Sequence, residues 1–173
     1  MRGIAKAVLI SIVVTISFMI FTNFIYFFPW YTTLIVETFN VTQQVASDNY
    51  LHEDYRDRVL DKLKDRPIYR DKADEIEISA KKNKGDLNEH SAEGGDASLY
   101  EDIPLERKDE KPYQQRGNSI TVTIKATYPL SVTLWGEKYE KEIDLSFSLT
   151  TAGLKHYKDL EYYEDHEDWL EDL

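Results

Sequence analysis

The chain contains no cysteine. Disulfides, thiol catalysis and cysteine-ligated metals are therefore excluded, and any domain it forms must be held by its own core or by neighbours. Glycine and proline are sparse, 7 and 5 among 173 residues. No glycine-rich phosphate loop, G-x-S-x-G turn, H-E-x-x-H helix or twelve-residue calcium loop occurs in the sequence. The four histidines, His52, His90, His156 and His166, are scattered. The last two lie in an acidic run that reads more simply as a solvated face than as a cation site. No cofactor and no enzymatic activity are expected from these patterns. Basic charge is also short, with a formal net charge of −11. That argues against nucleic acid as a partner, because binding it needs a basic footprint.

Acid is missing from one region: no Asp or Glu precedes Glu37. Within that region Ala7 to Phe28 forms an uncharged run of 22 residues. At about 1.5 Å per residue, a helix of that length covers the roughly 30 Å hydrocarbon core of a bilayer. Tyr26, Trp30 and Tyr31 crowd its far end, where amphipathic rings suit the headgroup layer, while Arg2 and Lys6 flank its start. This asymmetry places residues 1–6 in the cytoplasm, a transmembrane helix at 7–28, and the rest outside the cell. A cleaved signal peptide would need a shorter apolar core and a small-residue cleavage site, whereas this run ends in bulky residues from Phe24 to Phe28.

Beyond the anchor, Leu34, Thr38, Val41 and Val45 recur at helical spacing, so the helix can continue outward as an amphipathic stalk. Pro29 would kink it by removing one hydrogen bond. Leu51, Tyr55, Val59, Leu60 and Leu63 mark a second amphipathic helix, stopped by Pro67, with His52, Glu53 and Asp54 at its start. Within this stalk-and-helix region, residues 29–66, the second helix packs on the small domain's sheet, or residues 32–65 form an extended assembly helix that contacts other subunits. Residues 67–153 then form a small β-rich domain. Glu75 to Ser79 alternates as a short strand, and Ile120, Val122, Ile124 and Ala126 alternate with threonines and Lys125. Ser131 to Trp135 and Tyr139 to Leu149 supply further strands, with Pro129 as a break or an edge. Residues 82–116 read as a flexible insertion, and 154–173 as an acidic, aromatic tail with loose helical spacing. The expected fold class is α+β: a transmembrane helix, an amphipathic stalk and a small antiparallel sheet.

This layout, together with Arg2-Gly3 before the apolar run, the stalk Thr32–Tyr50 and the segment Gly117 to Ile124 leading into Tyr128-Pro129, resembles pilin-like membrane proteins. It is most similar to the TadE-like minor pilins of tight-adherence loci and their relatives on conjugative elements of Gram-positive bacteria. The resemblance implies cleavage after Gly3 by a prepilin peptidase, leaving Ile4 as the new terminus. Pilins typically carry a glutamate at the fifth mature position, where this chain has Val8. It also implies a structural role in a surface filament or a conjugation or adhesion apparatus. The alternatives are an anchored accessory subunit of a secretion or conjugation machine and a ligand-binding surface sensor. The expected partners are the lipid bilayer and other subunits, as a homo- or hetero-oligomer. Candidate positions for packing within the membrane are Ile12, Ile16, Met19 and Phe27. Candidate interface positions are Trp30, Leu34, Val41, Val45, Tyr55 and Val59, with Tyr157 and Trp169 in the tail.

Overall fold

The computed structural model describes residues 2–82, 90–95, 97–100, 111–113, 116–134 and 137–156. Its spine is α1, Arg2–Asp48, one helix of 47 residues. It runs on through Pro29, which only removes the N–H that would bond the carbonyl of residue 25. Thr33, Thr38 and Thr42 donate their hydroxyls to the carbonyls four residues earlier. Thr38 and Thr42 can therefore be buried without leaving a polar group unpaired. The helix stops at Asn49, which adopts φ 65°, a conformation that asparagine tolerates better than most residues.

A two-residue strand, β1 (Leu51–His52), leads into α2 (Glu53–Lys64). His52 caps α2, its ring nitrogen accepting the Asp54 N–H, with Glu53 and Asp54 in the first turn and Lys62 and Lys64 in the last. Charges so placed complement the helix dipole. After 3-10 turns at Arg70–Glu75 come β2 (Glu77–Lys82), β3 (His90–Ser91), β4 (Glu93–Gly94), a short 3-10 turn at Ala97–Tyr100, β5 (Ser119–Leu134) and β6 (Glu137–Ala152). The main sheet is antiparallel, in the order β3-β2-β5-β6, and β1 pairs with β4 in parallel. The architecture is thus a long apolar N-terminal helix followed by a small antiparallel sheet domain, as the sequence leads one to expect.

Two findings add to the sequence reading. The sheet packs directly on the stalk. Ile120, Val122, Ile124, Ala126 and Tyr128 of β5 form one core with Trp30, Leu34, Val41 and Val45 of α1 and Val59 and Leu63 of α2. A helical period of three to four on one side thus meets a strand period of two on the other, which is how a helix covers a half-buried sheet. The other finding is in 82–116. Ala92 is fully buried, donating its N–H to the Ala80 carbonyl at 2.9 Å and accepting from Leu51 N at 2.8 Å. The Glu93 carboxylate beside it takes the Ala80 N–H at 3.0 Å and Arg56 at 3.0 Å. This part of the expected loop seals the edge of β2 against β1. Pro129 lies at an edge rather than a break, one of the two readings the sequence allows. β5 continues to Leu134, and β2 pairs only as far as Lys125, so no ladder bond is missing on that side of Pro129.

The far end of the domain closes on the end of α1. Asn49 is fully buried, donating from Nδ2 to the Lys155 carbonyl at 2.7 Å and accepting the Lys155 N–H on Oδ1 at 3.0 Å. Leu154 N donates to the Ala46 carbonyl at 3.0 Å, satisfying one of the last acceptors of the helix. Gly153 permits this approach, since a Cβ there would lie 2.8 Å from Asn49 Cγ. Asn49→Ala is expected to lose about 2–3 kcal/mol, from two buried hydrogen bonds and the left-handed backbone. Gly153→Ala should cost a similar amount and the double variant less than the sum, because both act on one clamp. Urea titration of the detergent-solubilised chain by near-ultraviolet circular dichroism checks this.

Candidate functional site

The helix that carries the sheet is uncovered for its first half. From Gly3 to Phe28 no residue is fully buried, and Ile4, Phe18 and Phe24 are 74, 71 and 61% exposed. Among the described residues α1 is the one helix long and apolar enough to cross a membrane, with a mean hydropathy of 2.4 over its most apolar window. By length and composition it suits a membrane span or a signal segment. Ile16, Met19, Asn23 and Phe27 are half-covered and recur every three or four residues on the side that becomes the core face at Trp30. The opposite side carries exposed Phe21, Phe24, Phe28, Val36 and Phe39, so an apolar stripe continues along α1 past the end of the apolar run.

Where the bare half meets the domain, aromatic rings close the base of the core. Phe27 meets Tyr128 edge-on with centroids 5.1 Å apart, and Trp30 lies 5.2 Å from Tyr69 and 5.3 Å from Tyr128. Tyr31 stands edge-on to Phe147. Trp30 is therefore a core residue, 1% exposed, and Tyr31 is half-covered by the sheet. Of the three rings that the sequence assigns to a headgroup belt, Tyr26 alone remains outside, at 67%. Tyr69 donates to the Trp30 carbonyl at 2.7 Å, and burial pushes its hydroxyl well above the usual range. Asn23 ties this base to the hairpin: Nδ2 donates to Ser131 O at 2.9 Å and to Met19 O at 3.0 Å, while the Asn23 carbonyl accepts from Tyr128 at 3.0 Å.

The second polar feature joins α1 to α2. Glu37 is 3% exposed. Its Oε1 receives Lys62 at 2.9 Å and Arg66 at 2.8 Å, and its Oε2 receives Asn40 at 3.3 Å. Burial pushes this carboxyl up, but the hydrogen bonds from Lys62 and Asn40 and the two cations outweigh it and hold it below the ordinary range. A cleft of about 570 Å³ opens beside it, lined also by Gln43, Gln44, Tyr55 and Arg58. With both oxygens engaged and the charge stabilised, Glu37 suits a structural latch rather than a general base. The sequence offers one weak signal for it: an acid on the side of α1 that otherwise carries Leu34, Thr38 and Val41.

The remaining candidates fall as follows. Gly3 and Ile4 lie in the first turn of α1, with open space around Gly3. Ile12 is exposed, whereas Ile16, Met19 and Phe27 are half-covered. Trp30, Leu34, Val41, Val45 and Val59 are buried in the chain's own core. Tyr55 is half-buried under the Arg58 guanidinium. Tyr157 and Trp169 lie outside the described residues. Among those described, no group of three or more His, Asp or Glu is placed to hold a metal ion. Compared with known proteins, the chain matches no family model, no curated protein and no solved structure.

Lys62→Ala and Arg66→Ala are each expected to cost about 1 kcal/mol, because the other cation remains. The double variant should cost about 3 kcal/mol or more, since it strands a buried carboxylate. In the native chain the contribution of Glu37 is full above the ordinary glutamate value and is lost as pH falls through the depressed folded value. In the double variant burial dominates, the folded value rises, and stability should increase on mild acidification. Urea titrations of the three variants at several pH values check both signs.

Proposed function

We propose that the chain is a single-pass, membrane-anchored structural subunit, pilin-like in layout, which acts by helix packing and protein contacts without turnover. The observation that carries this reading is the division of α1: its second half is the spine of the sheet domain, while its first half is bare and apolar. A bare apolar helix needs lipid or other helices around it. The stripe through Phe28, Val36 and Phe39 extends that need to the half of α1 that carries the domain, on the side the sheet leaves open. Lipid covers the helix before assembly and neighbouring helices cover it afterwards. Arg2 and Lys6 keep the start of the helix on the cytoplasmic side, and the acidic domain lies outside.

A second reading, an accessory subunit of a secretion or conjugation machine that stays out of any filament, is favoured by Val8. That residue is 54% exposed, and no acid occurs in the bare half of the helix. Gentle extraction from the native cell surface, with intact mass read on the same sample, separates the two. Sheared fibres whose subunit begins at Ile4 support the filament reading; a discrete membrane complex that retains Met1 supports the accessory one. Phe39→Asp, on the exposed stripe, is expected to change folding by at most about 0.5 kcal/mol. It should nevertheless abolish the higher-order species seen after crosslinking of membranes, and unchanged crosslinking would count against the packing role of this face.

A further inference from the structure

The uncovered side of α1 carries a repeat that its own domain does not require. Beyond the apolar run, a helix lying on a sheet presents polar residues to the outside, as Gln43 and Ser47 do. Ile35, Val36 and Phe39 break that rule: Ile35 is half-covered, and Val36 and Phe39 are 49 and 52% exposed. Phe28, Thr32, Ile35 and Phe39 follow one another by four, three and four residues. Such alternation keeps one narrow stripe facing a partner helix that winds around it, the 3.5-residue period of a coiled coil. The same spacing runs back through Ile25, Phe21, Phe18 and Val14, all more than half exposed. In that stretch every side of the helix is apolar, so the outer positions carry the argument.

The placement of the stripe suits a second helix. At about 100° per residue, Phe39 lies roughly 140° round the helix from Leu34, away from the face that meets the sheet. A helix laid against it would leave the two domains on the outside of the pair. The stripe also ends where the chain's own core begins. A straight helix drifts about 20° per heptad against a 3.5-residue repeat. The next position in the series, Thr42, is buried, with its hydroxyl donated to the Thr38 carbonyl.

We propose that α1 pairs with α1 of a second copy, parallel and in register, through the stripe from Val14 to Phe39. This deepens the structural-subunit reading and rests on it, because two copies anchored from the same side have helices that run the same way. A two-fold axis along the pair sets each stripe residue against its own counterpart, so one self-complementary surface suffices. Lipid covers the part of the stripe within the bilayer, but Ile35, Val36 and Phe39 lie beyond the apolar run and face water in the lone chain. Their burial gives the pair a hydrophobic drive that helices inside lipid lack. The contact closes on itself, so it yields a discrete pair, and a fibre needs an additional surface.

Because the chain has no cysteine, single-cysteine variants report contacts without background. Val14→Cys, Phe28→Cys and Phe39→Cys would be reconstituted separately, as full-length chains, in phosphatidylcholine vesicles and oxidised with copper phenanthroline. Tyr26→Cys, on another side of α1, and Ser148→Cys, on the outer face of the sheet, serve as exposed controls. Val14 and Phe39 are 25 residues apart, about 37 Å along the helix, so only a parallel pair in register links all three stripe positions to themselves. The expected result is disulfide-linked dimer at all three, about tenfold or more above both controls, since a disulfide needs close Cα atoms. Linking at fewer than three stripe positions means an antiparallel or staggered pair, and equal linking at every position means random collision; either overturns the proposal. Absence of linking in chains that float with the vesicles on a density gradient also overturns it, leaves the anchor reading intact, and gives the stripe to lipid or another segment. A chain that does not float with the vesicles removes the anchor reading, and this proposal with it.

Discussion

The face of α1 from Trp30 to Val45 is sheathed by β5 and β6, and every other element takes its position from that contact. β2 pairs with β5, Ala92 and Glu93 fasten to β2, and β1 accepts its partner strand from the same short segment. Lys62 of α2 and Arg66 just beyond it are latched to α1 by the buried Glu37. Two asparagines bound the contact, Asn23 at one end and Asn49 at the other. Burial of large apolar side chains, each worth about 1.5–3 kcal/mol, provides the drive. The polar clamps determine where along the helix the sheet comes to rest, since an apolar face alone specifies position weakly.

The parts of this arrangement that repeat with a period are visible in the sequence. β5 and β6 alternate because one face meets α1 and the other meets solvent, and α2 shows its apolar spacing for the same reason. His52 before Glu53 and Asp54 reads as a helix start, and it is one. The residues that escape a sequence reading are those whose partners lie far away along the chain. Asn23, Glu37, Asn49 and Ala92 are polar or small, carry no hydropathy signal, and matter only through a backbone group or a cation elsewhere. Trp30 shows a different difficulty. An aromatic residue at the end of an apolar run has the same local pattern whether its ring meets headgroups or a sheet, and only the position of β5 decides between them.

Sequence hydropathy treats Ala7 to Phe28 as one uniform object, but the structure divides it by neighbour: one end with nothing around it and the other beside a sheet edge. The same helix is therefore bare and apolar along its first half and core along its second.

The clamps at Asn23 and Asn49 join residues 108 and 106 positions apart. Contacts of such separation form late, because the loop they close is about three-fifths of the chain. During synthesis α1 is complete long before β5 and β6 exist, so its core face waits uncovered while more than half the protein is still to be made. Until residue 155 has been made, the core face of α1 has no complete sheet to close on it. Its maturation depends on timing and on whatever shields that face meanwhile, and a truncation just before Gly153 would leave the helix sheathed but not locked.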